Sequence, residues 1–152
     1  MNCNKFPILI LLCFLFINIG CNVDNISSDK NFNNFKSYLI DTFDFEIPIE
    51  KSVFLIIPSV NCGGCKDEAL KIFADYQDKY SHLYLIIGKK TFTKLNIGSS
   101  TNVFIDEYNV IDRVNIDVQN VALIVTQNEK IILKQYIKPG DSGEMNSKLM
   151  ND

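Results

Sequence analysis

Two continuous apolar runs, Val53 to Ile57 and Leu83 to Ile87, stand out along the chain. The first is bounded by Lys51-Ser52 and Pro58-Ser59, and the second ends at Gly88. Both are too short for helices and rich in branched residues, so they predict strands buried on both faces. Between them Ala69, Ile72, Phe73, Tyr76 and Tyr80 recur at helical intervals, while Lys66, Asp67, Lys71, Asp75 and Asp78 mark the opposite face. That segment predicts a helix of about four turns. A strand, helix, strand unit of this kind makes its two strands parallel.

Upstream, Phe32, Phe35, Leu39 and Phe43 recur at intervals of three and four, predicting an amphipathic helix that ends before Pro48 and packs on the sheet. Downstream, residues 89–102 admit a short helix, Val103 to Ile105 a third strand, and Glu107 to Arg113 a helical turn. The branched runs Val121 to Val125 and Ile131 to Ile137 flank the polar link Thr126-Gln127-Asn128-Glu129-Lys130 and predict a hairpin. Beyond Pro139-Gly140 the tail is polar, with a weak helical period through Met145, Leu149 and Met150. No repeat or low-complexity block is present.

The first residues follow another pattern. Lys5 precedes an apolar stretch from Phe6 to Ile19 that closes at Gly20-Cys21. The stretch falls short of the roughly 20 residues a permanent membrane-spanning helix needs, which predicts a signal peptide over residues 1–20. An uncleaved anchor or an ordinary secreted protein is the alternative. Asn22 to Asn31 is rich in Asn, Asp and Ser, so residues 21–31 read as a tether. Residues 32–152 are then one domain's worth, enough for a hydrophobic core and expected to be monomeric.

Acidic side chains outnumber basic ones 18 to 15, for a net charge of −3, and no segment clusters Lys and Arg. Nucleic-acid binding is not indicated.

Of the five cysteines, Cys3 and Cys13 leave with the leader. The informative pair is Cys62-Gly63-Gly64-Cys65, set between a buried strand and an amphipathic helix. A first cysteine at a helix N-terminus meets unpaired backbone N–H groups and the positive end of the helix dipole, both of which stabilise a thiolate. Cys65, one turn on, is near enough to close a disulfide or to resolve a mixed one. The two glycines leave the dithiol sterically open. Two other readings remain: a permanent disulfide that stiffens the helix start of a tethered binding module, and two soft thiolates that hold Cu(I). Structural zinc needs four ligands, and a single pair supplies two.

Among the remaining candidates, His82 opens a strand whose start lies at the far end of the sheet from the dithiol, which makes it a surface residue. Asp106 and Asp112 are candidates to face the dithiol across the sheet edge. Asp67 and Glu68 read as first-turn helix residues that favour the dipole, and Lys66 as a modest aid to a thiolate.

Two resemblances extend this reading. Asn18-Ile19-Gly20-Cys21 resembles the lipobox of bacterial lipoproteins, with Gly20 and Cys21 matching and Asn18 standing where most carry Leu. It implies that Cys21 is lipidated and holds the mature protein to a membrane of the cell envelope, facing the periplasm or the exterior, since two or more acyl chains anchor firmly. From about residue 50 to 138, the order strand, Cys62-Gly63-Gly64-Cys65, helix, strand, crossover and closing hairpin resembles the thioredoxin-like fold. It is most like the membrane-tethered extracytoplasmic branch, in which a segment such as Val103-Phe104-Ile105-Asp106 followed by Tyr108-Asn109-Val110 precedes the hairpin.

That resemblance implies an α/β fold with a central mixed sheet flanked by helices and a C-terminal β-hairpin. It further implies thiol–disulfide exchange with protein thiols or disulfides, in which Cys62 attacks, Cys65 resolves and no organic cofactor is required. Three positions depart from it. Asn61 replaces an aromatic residue before the first cysteine, Ile56 replaces a buried acid on the preceding strand, and Val121 replaces a cis-proline at the start of the hairpin. A non-proline cis bond costs about 2.5–4 kcal/mol, so Asn120-Val121 is expected to be trans. These departures predict slow or specialised exchange.

Overall fold

The computed structural model describes residues 30–93, 102–116 and 118–141. The leader, Cys21, most of the tether, and the tail with Met145, Leu149 and Met150 lie outside the described residues, as does the segment 94–101.

Helix α1 (Lys30–Phe43) starts two residues before Phe32, so the tether's last residues are helical. It buries Phe32, Phe35 and Leu39 as the spacing predicts, and adds Tyr38. Asp44 ends it in left-handed backbone (φ 52°). The N–H groups of Asp44 and Phe45 there donate to the carbonyls of Ile40 and Leu39 at 2.9 and 3.3 Å.

Strand β1 (Ser52–Ile57) is buried at every position, as is β2 (Leu83–Gly88). They pair in parallel, Val53 beside Leu83 through Ile57 beside Ile87, with α2 (Gly63–Tyr76) as their crossover. A single turn, α3 (Lys89–Phe92), follows β2. Strand β3 (Val103–Asp106) then pairs in parallel with β2. The turn expected after β3 is a 3₁₀ helix, Val110–Arg113.

Strands β4 (Ala122–Gln127) and β5 (Lys130–Tyr136) form the hairpin, with β4 antiparallel to β1. The connection is shorter than the five-residue polar link: Asn128 and Glu129 alone make it, both with positive φ (50° and 58°). Such backbone twists the way the strands do. Thr126, read as part of the link, is instead fully buried and pairs with Ser52.

The sheet order is β3-β2-β1-β4-β5, three parallel strands followed by an antiparallel pair. This is the thioredoxin-like α/β architecture that the element order implied. Alternation along the strands divides the core into two layers. Leu55, Ile57, Leu85, Ile87, Leu123 and Val125 pack against Ala69, Ile72, Phe73 and Tyr76 of α2. Phe54, Ile56, Ile86, Ala122 and Ile124 pack against Phe35, Tyr38 and Leu39 of α1. All three parallel strands end on the same edge, where their loops gather around the start of α2.

Candidate functional site

Chain leaving β1 passes through Pro58-Ser59-Val60-Asn61 and enters α2 with Cys62 as the N-cap, its backbone extended (φ −72°, ψ 122°). The Cys62 sulfur accepts the Cys65 backbone N–H at 3.3 Å, and the Cys62 carbonyl accepts the Lys66 N–H at 2.9 Å. Cys62 thus occupies the place where a helix offers unpaired N–H groups to a negative atom. The two sulfurs lie at disulfide distance, with Cα atoms 5.1 Å apart. Their exposure is unequal. Cys65 is 5% exposed and belongs to the core against α2, whereas Cys62 is only partly covered.

Four other segments fix the loop that presents Cys62. The Asn61 side-chain amide donates to the Pro58 carbonyl (2.7 Å) and to the Thr91 hydroxyl (3.2 Å). Ser59 donates its N–H to an Asp112 carboxylate oxygen at 3.2 Å and its hydroxyl to Asn109 Oδ1. Gly88 makes that meeting possible: a Cβ there would fall 2.8 Å from Asn109 Oδ1 and 3.0 Å from Ser59 Oγ. Asn120, at the entry to the hairpin, accepts both the Cys62 N–H (3.2 Å) and the Val121 N–H (2.8 Å) on one side-chain oxygen. The turn after β5 lies against the start of α2, with Pro139 over Gly64 and the Gly140 N–H donating to Glu68 at 3.1 Å.

Several sequence expectations are corrected here. Asp106 does not face the dithiol. Val103 and Ile105 pack toward the α2 layer, so alternation turns Asp106 to the opposite side, where it is fully buried. One of its oxygens accepts the Tyr38 hydroxyl at 3.1 Å and the Ile111 N–H at 2.8 Å, while the other has no partner. Burial, followed by the nearby Asp106 charge and the hydrogen bond to it, pushes the Tyr38 phenol well above its ordinary pKa. Asp112 bonds the approach loop rather than a cysteine. Because α2 begins at Gly63, Asp67 and Glu68 fall in its second turn. Lys66 pairs with Asp67 at 3.2 Å, which offsets its charge beside the dithiol.

His82 lies where expected: its carbonyl accepts the Val53 N–H at the start of β1, the end of the sheet away from Cys62. It lines a cavity of about 230 Å³ with Lys51, Lys79 and Tyr80. Asn120-Val121 is trans, since the described residues contain no cis peptide bond, and Val121 is fully buried. Ile56 belongs to the layer under α1, across the sheet from Cys65. Among the described residues, no three His, Cys, Asp or Glu side chains gather as a metal-binding group.

Thr91, Asn109 and Asn120 carry the loop's hydrogen bonds and have no sequence signal of their own. Each comes from a different segment, Thr91 from α3 and the two asparagines from separate loops, brought to one edge by the sheet order. A polar residue immediately before a buried strand, as Asn120 is, offers the one weak cue.

Neither a family model nor a curated protein sequence matches the chain. Two solved structures resemble it. An uncharacterised thioredoxin-like protein from Porphyromonas gingivalis is 19% identical, with 70% of this chain and 78% of that one covered and a TM-score of 0.45. A conserved protein of unknown function from Bacteroides fragilis is 12% identical, with coverage of 68% and 82% and a TM-score of 0.43.

Proposed function

We propose that this chain is a thiol–disulfide oxidoreductase, held to a bacterial envelope membrane by lipid on Cys21, that exchanges electrons with protein thiols or disulfides. The observation that carries the reading is the asymmetry of the pair. Cys62 caps α2, partly open, while Cys65 is buried one turn behind it. A helix N-terminus lowers a thiol's pKa, and the exposed sulfur is the one a partner can reach.

In the reducing direction, the Cys62 thiolate attacks one sulfur of a partner disulfide. A mixed disulfide forms and the partner's other sulfur leaves as a thiolate that takes up a proton. Cys65, losing its proton, then attacks the Cys62 sulfur, closing the Cys62–Cys65 bond and releasing the partner's second thiol. Two electrons pass from the pair to the partner, whose two protons match the one Cys65 loses and the one Cys62 released to solvent on ionising. The oxidising direction is the same sequence reversed, with a partner thiolate attacking Cys62.

Val60 and Tyr108 support a protein as the partner. Each follows or precedes the Ser59–Asn109 contact beside Cys62, and they are 81% and 80% exposed. Large apolar side chains this open, on the dithiol's approach loop and on the segment bonded to it, suit a polypeptide surface. The buried layer around Cys65 is apolar, with Leu55, Ile57, Ala69 and Ile72, so proton transfer to or from Cys65 relies on solvent, consistent with slow or selective exchange.

In cells producing the full chain, Cys65→Ser should accumulate reductant-sensitive adducts on Cys62, and Cys62→Ser should not. Equal absence of adducts in both variants would favour the static-disulfide reading.

A further inference from the structure

Asn120 has no part in the exchange chemistry described above, yet it touches the attacking residue. Its side-chain oxygen is 3.2 Å from the Cys62 nitrogen and 2.8 Å from the Val121 nitrogen. One carboxamide therefore joins the dithiol loop to the residue that precedes β4, across 58 positions of sequence. The same oxygen answers a question raised by Val121. The N–H of the buried Val121 needs an acceptor, and the Asn120 side chain supplies it.

We infer that Asn120 is a positioning residue whose carboxamide holds the Cys62 backbone and whose neutrality keeps a full negative charge away from the Cys62 thiol. This rests on the redox reading of the pair. Two physical consequences follow. First, the carboxamide fixes the direction in which Cys62 enters α2, and with it the alignment of the sulfur on the Cys65 N–H and the helix terminus. Second, the oxygen sits close to the cysteine, so its charge matters. An amide oxygen carries a partial negative charge, and a carboxylate in the same place would carry a full one. A full negative charge this near disfavours a thiolate and favours the closed disulfide.

Asn120→Asp separates the two roles, because it preserves the acceptor and the shape while adding charge. Asn120→Ala removes the acceptor and adds no charge. Each protein, reduced with a phosphine, is alkylated with iodoacetamide across pH, and Cys62 is followed by mass. The inference predicts that Asn120→Asp raises the apparent pKa of Cys62 by about one pH unit relative to the natural chain, and that high salt narrows the gap. It predicts that any rise in Asn120→Ala is smaller and insensitive to salt, while the Cys62 and Val121 amide protons exchange with solvent at least about tenfold faster. An unchanged Cys62 pKa in Asn120→Asp, or unchanged amide exchange in Asn120→Ala, overturns it.

Phosphine reduction opens the bridge whether or not the natural couple exchanges. The redox reading is judged separately, on the natural chain in glutathione buffers. A chain that stays oxidised there refutes the redox reading, while the variants still decide what Asn120 does to Cys62.

Discussion

Pro139 rests on Gly64. A Cβ added to Gly64 would lie 3.0 Å from the Pro139 Cγ, whereas one added to Gly63 would meet nothing within 4 Å. Neither glycine has a positive φ, so the backbone does not require either of them. Both glycines are exposed, but only Gly63 has room for a side chain, and Gly64 is the seat of the turn that follows the hairpin.

Replacing these glycines should separate the two roles. Gly63→Ala should stabilise the fold by about 0.5–1 kcal/mol through helix propensity and a less free unfolded chain. Gly64→Ala should gain less or lose stability, because Pro139 must shift and the Gly140 bond to Glu68 moves with it. Pairing Gly64→Ala with Pro139→Ala should recover the difference, read as denaturant midpoints in a double-mutant cycle.

The Tyr38–Asp106 pair predicts a pH dependence. The folded state holds the Tyr38 phenol protonated to higher pH than the unfolded chain does, chiefly through burial. Its contribution is fully present below the ordinary tyrosine pKa of about 10 and is lost progressively as pH rises beyond it. Burial raises Tyr84 in the same direction. Tyr38→Phe should cost about 1–3 kcal/mol near neutrality, since Asp106 loses one of its donors in a buried site. It should also flatten the alkaline decline without abolishing it. Urea midpoints between pH 7 and 11 compare the two proteins, and parallel declines would refute the assignment to Tyr38.

Ile56 offers a test of the missing acid. It packs with Phe35 and Phe54 under α1, on the other side of the sheet from Cys65. Ile56→Asp should destabilise the fold by several kcal/mol, as burying an unpaired carboxyl does. It should not accelerate exchange, because the side chain enters the wrong layer. A faster exchange rate in a folded Ile56→Asp variant would contradict the layer assignment.

Period and boundary signals carried most of the fold. The runs at Val53 and Leu83 were legible because both faces of their strands are covered, and the helix between them because its apolar stripe is regular. The hairpin turn was misjudged where polarity was taken for exposure: Thr126 is polar and fully buried. Tyr38 lies on the same helix face and is buried because its hydroxyl meets the Asp106 carboxylate, a partner that spacing does not reveal. The dithiol itself was legible as a local motif. The side chains that hold it were not, since Asn109, Asn120 and Thr91 become neighbours of its loop only when β2 and β4 flank β1 and β3 joins β2.

The reactivity of the reduced pair should be unequal. Cys62 is predicted to alkylate first, with an apparent pKa below the ordinary thiol value of about 8.5, and Cys65 to follow slowly because it is buried. Equal rates, or a Cys62 pKa at the ordinary value, would remove the basis for an attacking and a resolving sulfur. Peptide mass after timed alkylation reads both.

The central claim is that the Cys62–Cys65 bond opens and closes in service. Its reduction potential tests this most directly, measured on the protein equilibrated in glutathione buffers before alkylation and mass analysis. The account predicts a value within the range of working dithiols, about −270 to −120 mV. A value well below about −300 mV would make the bond a permanent staple and contradict it.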